Sequence, residues 1–336
     1  MTMNEQQLQI LKLIDQSGHN LGTRLSASLG ISRQAASAKL KKLVTLGYIE
    51  PEGVSRTRLY RLKTLNEAIA SYPIPGPSED IVWREICAPV IADLPQNVRD
   101  IWHYGITEMV NNAIDHSGAA SMRVGIIRTA LYTTAWVADD GVGIFKKIQK
   151  ALNLYDPRES IIELAKGKFT TDPANHTGEG IFFSSKMFDV YDIRSGHLHF
   201  MHDAGQLDIL TERDNEGQGT LVTMRIDNDG RRVMKEVFDQ FSSPDEYTFD
   251  RTIVPVRMAI HEGEKLVSRS QAKRITMRFE KFRHVILDFA GVSEIGQAFA
   301  DEIFRVFQAA HPNIIMLPEN MTDAVKDMVS RATSRK

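Results

Sequence analysis

The chain has 336 residues, of which 42% are apolar and 25% are charged, and its formal net charge is −2. This length predicts two or three domains, and this composition is typical of a soluble globular protein. The sequence has neither a run of about 18 uncharged apolar residues nor a signal-peptide pattern, so we expect no membrane partner. The only cysteine, Cys87, excludes an internal disulfide framework and a cysteine-based zinc site, and it favours a cytoplasmic protein.

Residues 1–63 are basic, whereas the remainder of the chain is acidic. Residues 1–63 hold ten Lys and Arg against four Asp and Glu, a net charge of +6, and the remainder holds 31 against 39. A basic module on an acidic body favours a polyanion as the partner of that module.

The pattern of residues 1–63 predicts three helices followed by a hairpin. The helices extend from Asn4 to Gln16, from Thr23 to Leu29, and from a Ser32 cap to about Leu46; residues 48–62 then alternate as in a hairpin. This order is that of the winged-helix variant of the helix-turn-helix. The segment ISRQAASAKLKKLVTLGYIE resembles the recognition helix and wing entry of many bacterial winged-helix regulators, which implies a partner of double-stranded DNA.

The candidate DNA contacts are small, polar or basic residues on the third helix and the hairpin. They are Arg33, Gln34, Ser37, Lys41, Lys42, Arg56 and Arg58. Gln34 is suited to reading an adenine edge in the major groove, and the arginines are suited to phosphate contacts. The alternative is a protein-docking module whose charges form a solvated face.

A proline-rich stretch follows the basic module. Residues 64–80 contain three prolines and a glycine between Pro73 and Pro77, which predicts a linker. Two helices, residues 80–92 and 96–116, and two strand-like runs, SMRVGII and LYTTAWVA, are predicted next.

The second of these helices carries polar groups at helical spacing. In ITEMVNNAIDHS, Glu108, Asn112 and Asp115 stand at i, i+4 and i+7 and therefore line one face. On its own, this stretch is equally typical of an amphipathic helix whose polar face meets water.

Four short motifs follow one another between residues 81 and 230. They are ExxxN (Glu108 to Asn112), DxGxG (Asp139 to Gly143), GxG (Gly178 to Gly180) and GT (Gly219-Thr220). A carboxylate before two glycines permits close backbone approach to a ligand, and glycines at a helix start expose N–H groups to a phosphate. Each motif alone fits an ordinary turn, but the ordered set resembles the GHKL ATP-binding superfamily, which includes gyrase-type topoisomerases, histidine kinases and anti-sigma kinases.

The resemblance implies a site for ATP and Mg²⁺. In the family pattern, Asn112 would be the Mg²⁺ ligand, Glu108 the base that orients water, and Asp139 the acceptor of the adenine amino group. Thr220 would support Asp139 through its hydroxyl. The remaining positions would approach the adenosine or the phosphates: Asp115, Gly141, Gly143, Lys168, Thr177, Gly178 and Gly180.

The resemblance also implies a lid over the nucleotide at residues 144–177. Its segment GKFTTDPANHTGEG is rich in small and polar residues, as expected of a mobile lid. The glycine box lacks an extra leading glycine, and Thr177 or Lys168 would compensate for it.

Residues 231–336 alternate strand-like and helix-like runs, which predicts a small α/β domain. The segments SRSQAKRI and VILDFAGVSEIGQAFADEIFRVF resemble the STAS-like domain attached to bacterial GHKL proteins. STAS antagonists carry a phosphorylated serine where this chain has Gly296-Gln297-Ala298; Ser293 is a weaker alternative acceptor. We therefore favour an interaction module, with a protein partner or self-association such as a homodimer.

The chain is thus predicted to be a multidomain α+β and α/β protein. The predicted units are a winged helix (1–63), a linker (64–80), a GHKL α/β sandwich or Bergerat-type ATP fold (81–230) and a STAS-like α/β domain (231–336). The leading hypothesis is an ATP-responsive DNA-binding regulator. The alternatives are an anti-sigma-type protein serine kinase or switch partner, and a DNA-stimulated ATPase in a defence or conflict system.

Overall fold

The computed structural model describes residues 3–53, 58–170, 178–205, 208–243, 248–260 and 264–334. Within these residues the strands form three sheets of two, five and three strands. The expectation of a multidomain mixture of helices and sheets is confirmed at this level. None of the described helices is long and apolar enough to cross a membrane.

The first unit consists of the predicted helices and hairpin. Its elements are α1 (Glu5–Gln16), α2 (Leu21–Leu29), α3 (Arg33–Thr45), β1 (Ile49–Glu52) and β2 (Leu59–Leu62). Asn4 caps α1 through a reciprocal pair of bonds with Gln7, and the Ser32 hydroxyl caps α3 by accepting from the Ala35 N–H. β1 and β2 pair antiparallel, as the alternation predicts.

This unit is docked on the central sheet. Ala130 and Leu131, in the turn between two central strands, are buried in the same apolar cluster as Leu11 and Leu40. At the rim of this contact the Tyr132 hydroxyl donates to Asp15 at 3.1 Å, and Lys12 pairs with Asp227 at 3.1 Å. The basic unit is therefore anchored by its α1 side.

The predicted linker at residues 64–80 is wrong for most of its length. Residues 66–73 form β3 (Asn66–Pro73), which pairs antiparallel with β4 (Ser121–Arg128) at the edge of the five-stranded sheet. Half-buried Ala68, Ala70 and Tyr72 alternate with exposed neighbours, which is the period of a strand. The prolines begin only at the last residue of the strand, so they end it rather than forming a spacer.

The central unit is a five-stranded antiparallel sheet with helices on one face. Its further strands are β5 (Tyr132–Asp139), β6 (Val190–Asp203) and β7 (Ile209–Asp227), in the order β3-β4-β5-β7-β6. Its helices are α4 (Glu79–Val82), α5 (Gln96–Asn111), α6 (Ile144–Leu152), α7 (Glu159–Lys166) and α8 (Gly180–Met187). Trp102 of α5 packs on Phe188 with ring centroids 4.8 Å apart, above buried Val124 and Met224 of the sheet.

Both predicted helices before β4 are interrupted. The first continues from α4 through a π-helical turn (Trp83–Cys87) into a 3₁₀ turn (Ala88–Ile91). The second passes from α5 into a π-helical turn (Asn112–His116). Such turns inside helices often mark functional positions.

The last unit is a three-stranded parallel sheet with helices. Its elements are α9 (Met234–Phe241), β8 (Arg251–Pro255), α10 (Arg269–Thr276), β9 (His284–Asp288), α11 (Gln297–Asp301), α12 (Gln308–Ala310), β10 (Ile315–Glu319) and α13 (Asp323–Thr333). The strand order is β10-β9-β8. α10 begins after Ser268, whose side chain caps it by accepting from the Gln271 N–H.

The central and C-terminal units share one apolar core. Phe182 and Phe183 of α8 pack against Phe241 and Phe249, with ring centroids 4.7 to 6.1 Å apart. The boundary predicted at residues 230–231 therefore separates segments of chain that fold against each other.

Candidate functional site

A cavity of about 380 Å³ opens between α5, the start of α6, the end of α7 and the start of α8. Seven predicted site residues line it: Glu108, Asn112, Asp139, Gly143, Gly178, Gly180 and Thr220. Four motifs spread over more than a hundred residues thus meet in one place. Asp115, Gly141 and Lys168 lie outside this lining, and Thr177 lies outside the described residues.

The π-helical turn explains why Asp115 is misplaced in the prediction. Along regular α5, Glu108 and Asn112 are one turn apart and both face the cavity. The wider turn that starts at Asn112 rotates the following residues, so His116 faces the cavity and Asp115 is exposed. The i+7 spacing holds only for an uninterrupted α-helix.

Asp139 ends β5 at the floor of the cavity. Its Oδ1 accepts hydrogen bonds from the Gly141 N–H at 2.9 Å and the Thr220 N–H at 3.3 Å. Burial raises the pKa of the Asp139 carboxyl above its ordinary value, and the two backbone bonds partly oppose that rise. Gly141 therefore contributes to the site through its backbone, although it does not line the cavity.

Thr220 contributes to the site through both its backbone and its side chain. Thr220 lies opposite Asp139 in the β5–β7 ladder, and its N–H, not its hydroxyl, donates to the carboxylate. The hydroxyl oxygen instead accepts from the Ile144 N–H at 3.0 Å. Strand pairing brings the backbone within reach of Asp139, and the hydroxyl fixes the start of α6.

The neighbouring carboxylate, Asp140, has a different task. It accepts from the N–H groups of Ala120 and Ser121 at 2.8 and 3.0 Å and from the Ser121 hydroxyl at 2.8 Å. These bonds lower the pKa of Asp140, which is half-buried and joins the start of β4 to the end of β5. Of the two adjacent aspartates, only Asp139 belongs to the cavity.

Two glycines allow the walls of the cavity to come close together. At Gly180, the first residue of α8, an added Cβ would overlap the Glu108 carboxylate. Gly143 has φ +91°, and an added Cβ would lie 2.6 Å from the Ser195 hydroxyl. The N-terminal turn of α8 thus approaches Glu108 with only a backbone between, as a helix start that binds anions requires.

Lys168 does not face the cavity. Its ammonium group donates to the Lys281 carbonyl at 3.0 Å and lies over the rings of Phe249 and Phe282, 5.4 and 5.1 Å from their centroids. Gly167 and Lys168 both have positive φ, which turns the chain towards the C-terminal unit. The prediction that Lys168 lines the phosphate site is wrong for this structure.

The described part of the predicted lid contains two helices, α6 and α7, of which α7 is buried. All but one of the residues of α7 are buried, including Glu159, Glu163 and Lys166. Glycine and small residues in the following segment suggested mobility, but the buried charges of α7 are paired with the C-terminal unit. Residues 171–177 of the predicted lid lie outside the described residues.

Lys147 and His116 also line the cavity, although neither was among the predicted site residues. The Lys147 ammonium group donates to the His116 carbonyl, and burial lowers its pKa. A signal was present: Ile144, Lys147 and Ile148 are spaced i, i+3, i+4, so a lysine shares the inward face of α6.

The outward face of α3 has the predicted arrangement. Ala36, Leu40 and Leu43 are buried. The candidate contacts that are exposed are Arg33, Gln34, Ser37, Lys41, Lys42 and Arg58. Arg56 lies outside the described residues.

Comparison with known families gives one match. Residues 271–326 match the model of a STAS-like domain of unknown function, DUF4325. The C-terminal region contains a STAS-like domain. This confirms that part of the expectation, and the match begins within α10 and ends within α13. The comparison with curated proteins finds no match to the chain.

Proposed function

We propose that the cavity binds Mg·ATP and that the chain is an ATP-responsive DNA-binding regulator of the GHKL class. The observation that carries the proposal is the meeting of Glu108, Asn112, Asp139 and Gly180 around one cavity. A volume of about 380 Å³ is within the range of small-molecule sites, about 300–1,000 Å³.

The lining of the cavity includes both apolar residues, which suit a base, and polar or basic groups, which suit phosphates. Val137, Ile148 and Val222 line it near Asp139 and suit a flat apolar base, while the Asp139 carboxylate accepts from an amino group. Asn112, Lys147 and the first turn of α8 suit phosphate oxygens and their cation. Among the described residues there is no group of three or more His, Cys, Asp or Glu arranged to hold a metal. Mg²⁺ would therefore be held by Asn112 and the nucleotide phosphates, whose charge it neutralises when bound.

Glu108 gives the site the capacity to orient water. It lies against Gly180 at the start of α8, where the terminal phosphate of a bound nucleotide would approach. This favours slow hydrolysis over the protein-kinase alternative, because the STAS-like domain has Gly296-Gln297-Ala298 in place of the phosphoacceptor serine. Measurement of ATP turnover distinguishes the regulator from the alternative of a DNA-stimulated ATPase. ATPase activity that rises when DNA is added and is lost in Glu108→Ala favours the alternative.

The basic N-terminal unit is proposed to be the winged-helix DNA reader. Its support is the exposed face of α3 with Gln34 and Lys41, the charge of +6, and a docking contact that uses α1 and leaves that face in solvent.

The test is titration of the full chain with Mg·ATP, using adjacent aspartates as matched variants. Asp139→Asn replaces the acceptor for the base by an amide, whereas Asp140→Asn makes the same change outside the cavity. We expect Asp139→Asn to weaken binding by about tenfold or more, the value of one lost charge-assisted hydrogen bond. We expect Asp140→Asn to bind within about threefold of the wild type. Absence of Mg·ATP binding by the wild-type chain refutes the proposal.

A further inference from the structure

One wall of the cavity is held by the C-terminal unit rather than by the central one. This wall, residues 164–170, comprises the last turn of α7 and the segment after it, and Leu164, Gly167, Phe169 and Thr170 line the cavity. It faces Glu108 and Asn112 across the space where we propose the nucleotide. Its position therefore decides the width of the cavity.

Three consecutive carbonyls of the wall accept side-chain hydrogen bonds from the C-terminal unit. The Thr252 hydroxyl donates to the Lys166 carbonyl at 2.8 Å. The Arg278 guanidinium donates through Nη2 to the Gly167 carbonyl at 3.1 Å and to the Lys168 carbonyl. The planar fork of arginine suits this task, because its N–H groups can bind two neighbouring acceptors at once.

Buried charges lock the same contact. Arg278 Nη1 pairs with Glu163 Oε2 at 2.9 Å, and Lys166 Nζ donates to Glu163 Oε1 at 2.5 Å and to the Met277 carbonyl at 2.8 Å. Arg274 pairs with Glu159 at 2.9 Å, one turn earlier on α7. Lys166, Glu163 and Arg278 have exposed fractions of 0, 2 and 8%.

A buried network of this kind tolerates few alternative arrangements. A buried charge that loses its partner is strongly destabilised, so arrangements in which only part of this contact is broken are disfavoured. The wall is therefore rigid while the contact is intact, and it is released as a whole when the contact opens.

We propose that Arg278 and Thr252 are positioning residues for the nucleotide cavity, so that ligand affinity depends on the C-terminal unit through residues 164–170. The dependence on a nucleotide rests on the proposed function, but the holding of the wall does not. By linkage, a partner that binds the STAS-like domain and loosens this contact would weaken nucleotide binding, and nucleotide would oppose that partner by the same factor.

Two mild variants test this in the full chain. Thr252→Val removes one hydroxyl with little change of shape. Arg278→Lys keeps the charge opposite Glu163 but cannot bind both carbonyls. Arg305→Ala is the control: it removes an exposed arginine of the same unit whose guanidinium pairs with half-buried Asp301, away from the wall.

The first measurement is amide hydrogen exchange of the unliganded proteins. We expect faster exchange by about tenfold or more at residues 166–169 in both variants, with unchanged exchange in the central sheet, because only the wall is released. A general loss of stability would accelerate exchange everywhere. Exchange at residues 166–169 that equals the wild type in both variants overturns the proposal.

The second measurement is Mg·ATP binding and dissociation. We expect affinity to fall by about three- to tenfold in both variants through faster dissociation, and to stay within about twofold in Arg305→Ala. If the wall exchanges faster but affinity equals that of the wild type, the dependence of the site on the C-terminal unit is refuted. If the wild type itself binds no ATP, the proposed function fails, and faster exchange at 166–169 still supports the role of Arg278 and Thr252.

Discussion

Gly180→Ala is the smallest change that tests the geometry of the cavity. Gly180 is the first residue of α8, where alanine would ordinarily stabilise the helix by about 0.4–1 kcal/mol. Here the added methyl group would overlap the Glu108 carboxylate. The overlapping atoms are the far end of a flexible side chain, so Glu108 can turn away and the cost is at the low end of overpacking, about 1 kcal/mol. We therefore expect the clash to cancel the ordinary gain and to leave the stability about equal to that of the wild type.

Gly22→Ala is the matched control. Gly22 also lies in the first turn of a helix, α2, but an added Cβ would meet no atom within 4 Å. With no clash to offset the gain, this variant should be stabilised by about 0.4–1 kcal/mol. The two variants make the same chemical change, and Gly22→Ala should be the more stable of the two.

Urea denaturation and Mg·ATP titration measure both effects. The methyl group at residue 180 would stand where phosphate oxygens approach the start of α8, so we expect affinity to fall by about tenfold or more. Gly22→Ala should bind as the wild type does. The reasoning is refuted if Gly180→Ala is as stable as Gly22→Ala, or if it binds Mg·ATP with wild-type affinity.

Three further predictions concern the other parts of the molecule. Folding raises the pKa of Asp139, so protonation of its carboxyl favours the folded state. The contribution of Asp139 to the free energy of unfolding should therefore increase as the pH falls through that raised pKa. Mg·ATP binding should weaken over the same pH range, because the protonated carboxyl is a poorer acceptor. Both effects should vanish in Asp139→Asn, as followed by thermal denaturation and titration between pH 4 and 7. Leu131→Ala, at 3% exposure, should destabilise the docked N-terminal unit by about 2–5 kcal/mol in limited proteolysis, while Leu65→Ala, at 43% exposure, should change it by less than about 0.5 kcal/mol. Arg33→Ala should weaken DNA binding across sequences and reduce the salt slope by about 1, whereas Arg84→Ala, an exposed arginine of the central unit, should leave both unchanged.

Local pattern was sufficient for most elements of the fold. The caps at Asn4 and Ser32, the hairpin and the alternating C-terminal unit follow from side chains next to each other in sequence, and the structure has them. β3 was missed because prolines at 73, 75 and 77 dominated the interpretation of residues 64–80, although they follow the strand. The average composition of residues 64–80 does not reveal that a strand ends and a proline-rich turn begins at Pro73.

The candidate site was predictable to the extent that its motifs are local. Glu108 and Asn112 lie in regular α5, so their spacing fixed their common face. Asp115 lies beyond the start of a π-helical turn, which the residue types do not announce, and the rule of i, i+3, i+4 fails there. Lys168 and the charges of α7 depend on the C-terminal unit more than eighty residues away, so polar composition suggested a mobile lid where the structure has buried ion pairs.

The β5–β7 ladder limits how a ligand in the cavity can influence the N-terminal unit. One end of the ladder is the pair Asp139 and Thr220 at the cavity; the other end is the pair Tyr132 and Asp227, which bind Asp15 and Lys12 of α1. Seven residue steps separate these ends, about 23 Å of hydrogen-bonded strand. A central ladder of this kind offers no hinge, so we expect the basic unit to move together with the five-stranded sheet.

The cavity wall at residues 164–170 is attached to the C-terminal unit, and this attachment consists of side-chain hydrogen bonds and ion pairs that can separate. A ligand shifts an equilibrium only by its differential affinity for two states. In our proposal those states have the contact between Glu163 and Arg278 closed, as in the structure, or open. We therefore expect Mg·ATP to slow amide exchange at residues 159–170 and in α10, with little change at residues 130–133. Protection at 130–133 equal to that at 159–170 would show instead that the signal runs through the sheet. If exchange follows the first pattern, the effect of the proposed nucleotide passes through the C-terminal unit and not through a reorientation of α3.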